Sequence, residues 1–316
     1  MIRKVYGFFG LRYYMRRKLI AFLKLSRLPF LTPGIAPFTA GILLGILKGY
    51  SVDIRLIILS YIGLILIMLA TYYSNEYYDY ETDRINKEYN RFSGGSRVLP
   101  EGKLSRDTAF KCFVMAIVGI FIVALIYFLF FFKDRPFLCV MAIIGLIAGI
   151  FYTTPPFQWA YMGIGEITIL FAYGFLTVLS GYYIVTGKIS WESLFLSLPP
   201  AFGVFSVILI NEFPDYLADK TVGKNNLVVR FGKELSSYIY ILTVLLTGFT
   251  ALLAGFMISG LIGLVIAIPV VLISLILTSK VIKGEYRVPE KLERICALTI
   301  VLDAVCAYPP VLAMII

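Results

Sequence analysis

Long apolar runs alternate with charged connections along the whole chain. Nine runs stand out, at 28–47, 56–73, 109–132, 137–152, 164–186, 194–211, 236–258, 261–279 and 295–316. They lack the every-second-residue alternation of a barrel strand. Most approach the ~20 residues a helix needs to cross a hydrocarbon layer of about 30 Å, with 56–73 and 137–152 the short ones. A backbone in lipid must satisfy its own polar groups, so these runs predict helices. The expected fold is an all-α integral membrane protein, with nine transmembrane helices in one bundle and a single domain over 1–316.

The polar residues set the orientation. The segment before the first run and the second, sixth and eighth connections, with the edges of the flanking runs, hold 24 Lys and Arg. The other side holds five: Lys48, Arg55, Lys133, Arg135 and Lys188. Positive charge stays on the cytoplasmic side, which places the N-terminus there. The formal net charge of +10 follows from this placement. Basic residues beside membrane helices do not make a nucleic-acid surface. Residues 1–18 mix Arg and Lys with Tyr, Phe and Leu, and read as a basic amphipathic segment rather than a cleaved signal. The expected location is the cell membrane, multi-pass.

Composition sharpens this. The chain is 59% hydrophobic and 15% charged, against about a quarter charged in soluble domains. It contains no histidine, which removes His-ligated haem, Ser-His-Asp hydrolysis and most zinc sites. Cys112, Cys139, Cys296 and Cys306 lie in or beside the runs without a C-x-x-C pair, and read as packing thiols.

One acidic pattern occurs twice. NEYYDYETD (75–83) and NEFPDYLAD (211–219) share Asn, Glu, Asp, Tyr and Asp at the same spacing, 136 positions apart, and each is followed by a basic residue, Arg84 or Lys220. Both close an even-numbered run on the cytoplasmic side. Polar, Gly-containing connections follow, 84–107 and 220–234, long enough to read as functional loops. The bundle therefore reads as two pseudo-symmetric halves with a ninth helix added.

On a helix, Asn75, Asp79 and Asp83 fall at i, i+4 and i+8 on one face, as do Asn211, Asp215 and Asp219. Carboxylates stacked this way repel unless a cation lies between them. Hard oxygen donors suit Mg²⁺, which binds through one or two carboxylates and a substrate's phosphates. Arg84, Arg97, Lys220, Lys224 and Arg230 are the nearby bases for those phosphates. One such motif is explained as a solvated helix end; two at equivalent places point to a diphosphate held between acidic clusters. A membrane setting makes a lipid-borne diphosphate the natural substrate. Its departure leaves an allylic cation, for which Tyr72, Tyr73, Tyr77, Tyr78, Phe213 and Tyr216 offer electron-rich faces.

The paired motifs resemble those of the UbiA superfamily of intramembrane prenyltransferases, across nearly the whole chain. SGGSRVLPEGKLS, the stretch from YTTPPF to GIGE (152–166) and DKTVGKNNLVVRFGK look most like the branch that prenylates 1,4-dihydroxy-2-naphthoate for menaquinone. The resemblance implies transfer of a polyprenyl group from an isoprenyl diphosphate to an aromatic acceptor. Asn75, Asp79, Asp83, Asp215 and Asp219 would hold Mg²⁺ and diphosphate, with Asn211 in support. Arg27 would face the diphosphate or acceptor, Arg97, Lys220 and Lys224 would neutralise the diphosphate, and Tyr152 would stand near the cation. Neither an organic cofactor nor an obligate protein partner is implied. Relatives often carry K-Y-R-G-L-G-E where this chain has AYMGIGE, so two basic positions are lost from that loop.

Two other readings stand beside this one: the same chemistry on geranylgeranylglyceryl phosphate, and a cation transporter with paired Asp sites. Glu76, Glu81 and Glu212 read as lying off the Asp face. Asp303, inside the ninth run, receives no role, and Glu166 reads as a helix-start acid or a catalytic group.

Overall fold

The structure is a computed structural model that describes residues 15–316. Most of the basic segment read at 1–18 lies outside the described residues. Among those described, every regular element is helical. Seven helices are long and apolar enough to cross a membrane: Met15–Leu47, Ile54–Tyr78, Arg106–Phe130, Gly165–Thr186, Trp191–Asn211, Leu227–Ile266 and Pro289–Ala313. Phe137–Ile150 and Ile268–Ile282 are shorter apolar helices. We label Thr32–Leu47 α1, Ile54–Tyr78 α2, Tyr80–Ile85 α3, Arg106–Phe130 α4, Phe137–Ile150 α5, Gly165–Thr186 α6, Trp191–Asn211 α7, Tyr216–Thr221 α8, Leu227–Ile266 α9, Ile268–Ile282 α10 and Pro289–Val305 α11.

The 40-residue α9 is not one straight rod. Gly260 sits at φ 63 and ψ −146, a region closed to side-chain-bearing residues. Across it Gly255 lies against Gly263, and Gly248 against Ser274. The chain doubles back at Gly260, so the runs read at 236–258 and 261–279 are antiparallel neighbours. The second continues into α10, which explains why α10 alone looks too short to span.

Local chemistry marks several helix starts. Ser105 accepts from Thr108 N at the head of α4, Asn226 from Val229 N at α9, and Ser190 forms a capping box with Ser193 at α7. Glycines let helices approach where the halves meet. A Cβ on Gly41 or Gly181 would collide with the carbonyl of Val178 or Phe38, fixing α1 against the outer part of α6. Gly174 lies as closely on Ala201 of α7.

The acidic motifs correct one expectation. They do not lie on unbroken helices. α2 ends at Tyr78, Asp79 has ψ 4, and the short α3 restarts at Tyr80. α7 ends at Asn211, and α8 restarts after Asp215. Pro214 accounts for the second break, having no N–H to continue the ladder. The first restart comes at the same register without a proline, at Tyr80 against Tyr216. α3 and α8 are themselves offset by the 136 positions that separate the motifs. The internal duplication is thus structural as well as sequential.

Candidate active site

Both motifs reach one cavity of about 160 Å³ at the loop-bearing end of the bundle. Asn75, Asp79 and Asp83 line it from one half, and Asn211, Asp215 and Asp219 from the other. Arg27, Tyr152 and Lys224 complete the predicted residues that it brings together. Arg97 and Lys220 are not among its walls. The Arg97 guanidinium donates to the Asp83 carbonyl and stacks 4.0 Å from the Tyr89 ring. Lys220 is exposed over Tyr216. Arg84 pairs with Glu81 on the surface. Arg230 donates to the Met162 carbonyl and pins that loop instead of facing the cavity.

Lys224 bridges the halves. Its Nζ lies 3.5 Å from Asp79 Oδ2 and 3.8 Å from Asp219 Oδ1. Burial works against its charge, but Asp219 and Asp79 outweigh it and hold the ammonium well above the usual lysine pKa. Burial raises Asp83 well above the carboxylate range, with Asp79 adding to the effect. It lifts Asp219 to about 7 against the pull of Lys224, and Asp215 upward likewise. Six carboxyls share the cavity with two bases, Arg27 and Lys224, and burial pushes Asp83, Asp215 and Asp219 toward their protonated forms.

The orientation of each acid comes from loops. Asn86 Nδ2 donates to Asp215 Oδ1 at 2.7 Å and Gly94 N to Oδ2 at 3.3 Å, so the first half's loop seats the second half's acid. Asn226 Nδ2 donates to Asp219 Oδ2 at 2.7 Å. Tyr161 OH donates to Asp79 Oδ1 at 2.9 Å, and Thr153 Oγ1 to Asn75 Oδ1 at 2.8 Å. Glu76 holds the loop through Ser96 N and Oγ, both at 2.7 Å, and lies 3.9 Å from Arg27. Arg27 reaches it from a left-handed backbone, φ 47, which costs a non-glycine residue about 1–2 kcal/mol. Glu76 and Glu212 both line the cavity, contrary to the expectation that they face away.

The sequence reading missed Tyr161, Asn86, Thr153 and Asn226. Asn226 was legible in principle, because Asn90 stands 136 positions before it. The others are set by loop folding that no spacing reveals.

Gly95 shows how tightly one acid is held. A Cβ there would overlap Asp83 Oδ2, and its φ is +67. Gly95→Ala is expected to push Asp83 aside and lower turnover about tenfold or more, a change of about 1.4 kcal/mol. Steady-state kinetics on folded variant protein measures this; full activity would show that Asp83 is free to move.

The structure is a helical bundle with a carboxylate-walled cavity at one end. The UbiA prenyltransferase family profile matches residues 35–294, so the chain belongs to that family and is an enzyme of prenyl transfer. It is 26% identical to a 1,4-dihydroxy-2-naphthoate octaprenyltransferase of Bacillus subtilis over 71% of this chain and 73% of the relative. It is 28% identical to a digeranylgeranylglyceryl phosphate synthase of Methanobrevibacter smithii over 62% of this chain and 65% of that one. In fold it resembles a UbiA homolog from Archaeoglobus fulgidus solved with GPP and Mg²⁺, with a TM-score of 0.63 and 18% identity over 91% of this chain and 99% of that one.

Proposed function

We propose that the chain transfers a polyprenyl group from an isoprenyl diphosphate to an aromatic acceptor, a 1,4-dihydroxy-2-naphthoate, as in menaquinone biosynthesis. The protein would span the membrane nine times with its N-terminus and active site on the cytoplasmic side. The observation that carries this reading is the meeting of two duplicated acidic motifs in a cavity that opens into an apolar groove. The two share Thr71, Ile169 and Tyr173 as walls, and the groove measures about 350 Å³.

The donor set fits Mg²⁺. It is all oxygen, it is doubled, and the cavity-lining Asn211 leaves a buried Oδ1 without a hydrogen-bond partner. Asn75, Asp79, Asp83, Asp215 and Asp219 would hold the metal, which when bound would offset their charge and make diphosphate a better leaving group. Lys224 and Arg27, both lining the cavity, would then turn to the phosphate oxygens. The C1–O bond breaks with its electron pair leaving on diphosphate. Tyr72, Tyr152 and Tyr173 face the cavity and would stabilise the allylic cation through their ring faces while excluding water. An aromatic carbon would bond to C1, and the ring would regain aromaticity by losing a proton, or carbon dioxide where that carbon bears a carboxylate, the electron pair staying in the ring.

The similarity to the glyceryl phosphate synthase keeps that acceptor as a second reading. Nothing in the cavity favours cation transport. Purified protein given Mg²⁺, geranylgeranyl diphosphate, 1,4-dihydroxy-2-naphthoate, 4-hydroxybenzoate and geranylgeranylglyceryl phosphate together should form a prenylnaphthalene product by mass spectrometry. A prenylated glyceryl phosphate instead would reassign the acceptor. Folded protein giving no product and no pyrophosphate would end the reading.

A further inference from the structure

The apolar groove has an outer end, and its construction bears on substrate length. The walls run along α2 from Thr71 beside the acidic cavity to Leu59. Twelve helical steps of ~1.5 Å make that about 18 Å. At Leu59 the groove meets Phe38, Tyr127, Leu138 and Cys139. Phe38 and Tyr127 belong to a buried cluster against which Leu138 and Cys139 pack, so apolar side chains back this end.

Hydrogen bonds lock the same place. Tyr127 OH donates to the Arg135 carbonyl. Arg135 in turn donates through Nε to the Ile184 carbonyl at 2.9 Å and through a terminal nitrogen to that of Val185 at 3.0 Å. The turn after α4 is thereby fastened to the end of α6, across the foot of the groove. The flank is looser: Phe121 and Ile143 line the groove yet stay 69% and 52% exposed, so a tail that outgrows the seat can leave by that side.

With carbon–carbon bonds of about 1.5 Å, an extended isoprene unit projects roughly 4.5 Å. Resting on the prenyl-transfer reading above, we propose that the groove seats about four isoprene units, and that Cys139 and Tyr127 meet the far end of that tail and set its length. The continuous walls between cavity and groove make the substrate's own tail the occupant. Length preference then comes from fit at the closed end, because a tail moving from bilayer to groove exchanges one apolar setting for another.

The test compares two substrates on the full chain in liposomes with Mg²⁺. Geranyl diphosphate has two units and stops short of Cys139; geranylgeranyl diphosphate has four and reaches it. Cys139→Phe is expected to lower kcat/KM at least tenfold for the four-unit substrate and to leave the two-unit substrate within twofold. That unchanged turnover also reports correct folding. Cys139→Leu, a smaller intrusion, is expected to show the same selectivity at lower amplitude. Equal effects of both variants on both substrates, or no effect on either, would overturn the proposal. A wild-type protein that makes no product from either diphosphate would instead refute the prenyl-transfer reading.

Discussion

Asp79→Asn and Asp215→Asn are each expected to slow pyrophosphate release about a thousandfold, equivalent to ~4 kcal/mol of lost transition-state stabilisation. The substitutions keep the shape and remove the charge. Asp79 faces Lys224 across 3.5 Å and takes the Tyr161 hydroxyl, while Asp215 takes Asn86 and Gly94. An amide oxygen can still accept one of the two bonds at each site, while its nitrogen faces the other donor, so the fold should survive with an unchanged size-exclusion profile and a slightly lowered melt. What fails is the concentration of anionic oxygen that would hold a metal–diphosphate pair. Because each acid sits in a different copy of the motif, equal losses would show that the halves act as one site. An Asp215→Asn protein with near-normal turnover would confine the chemistry to the first half.

The largest effect on stability is expected from Gly181→Leu. The Gly181 Cα stands where a Cβ would overlap the Phe38 carbonyl and lie 3.2 Å from Ile42 N. Its counterpart Gly41 meets the Val178 carbonyl and, at 2.9 Å, Tyr182 N. Backbone atoms cannot rotate out of the way as side chains do, so α1 and α6 must separate. That opens the cluster of Ala40, Leu44, Val178, Tyr182 and Leu196. A loss of about 3 kcal/mol is expected, at the upper end for overpacking. Thermal unfolding in detergent measures it. Gly63→Ala is the control: its Cβ would meet only Val123 Cγ1 at 3.4 Å, so removing a helix-interior glycine there should leave stability equal or slightly higher. If Gly181→Leu melts with wild type, the two helices are not held by this crossing.

Much of this was legible before any coordinates. Apolar run length marks helices in lipid because the backbone has no other partner there, and the Gly260 turn falls between two runs read as separate. The duplicated acids could be read because identical spacing survives folding. Three things could not. The breaks at Asp79 and Asp215 depend on local dihedrals, and only Pro214 announces one of them. Arg97 and Lys220 look like phosphate ligands by proximity in sequence, yet Arg97 is spent on the Asp83 carbonyl and Lys220 lies exposed over Tyr216. Tyr161 and Asn86 become neighbours of the acids only when loops from different halves fold over the cavity.

That crossing of loops bears on how such a chain could have arisen. Asp215 in the second half is seated by Asn86 and Gly94 of the first, and Asp79 in the first half is faced by Lys224 of the second. Each half thus supplies part of the surroundings of the other's acid. If a half-length ancestor carried one motif, it worked only against a second copy of itself, and fusion of the two made that pairing permanent. After fusion the copies were free to diverge, but only in step: drift in one loop is felt by both motifs.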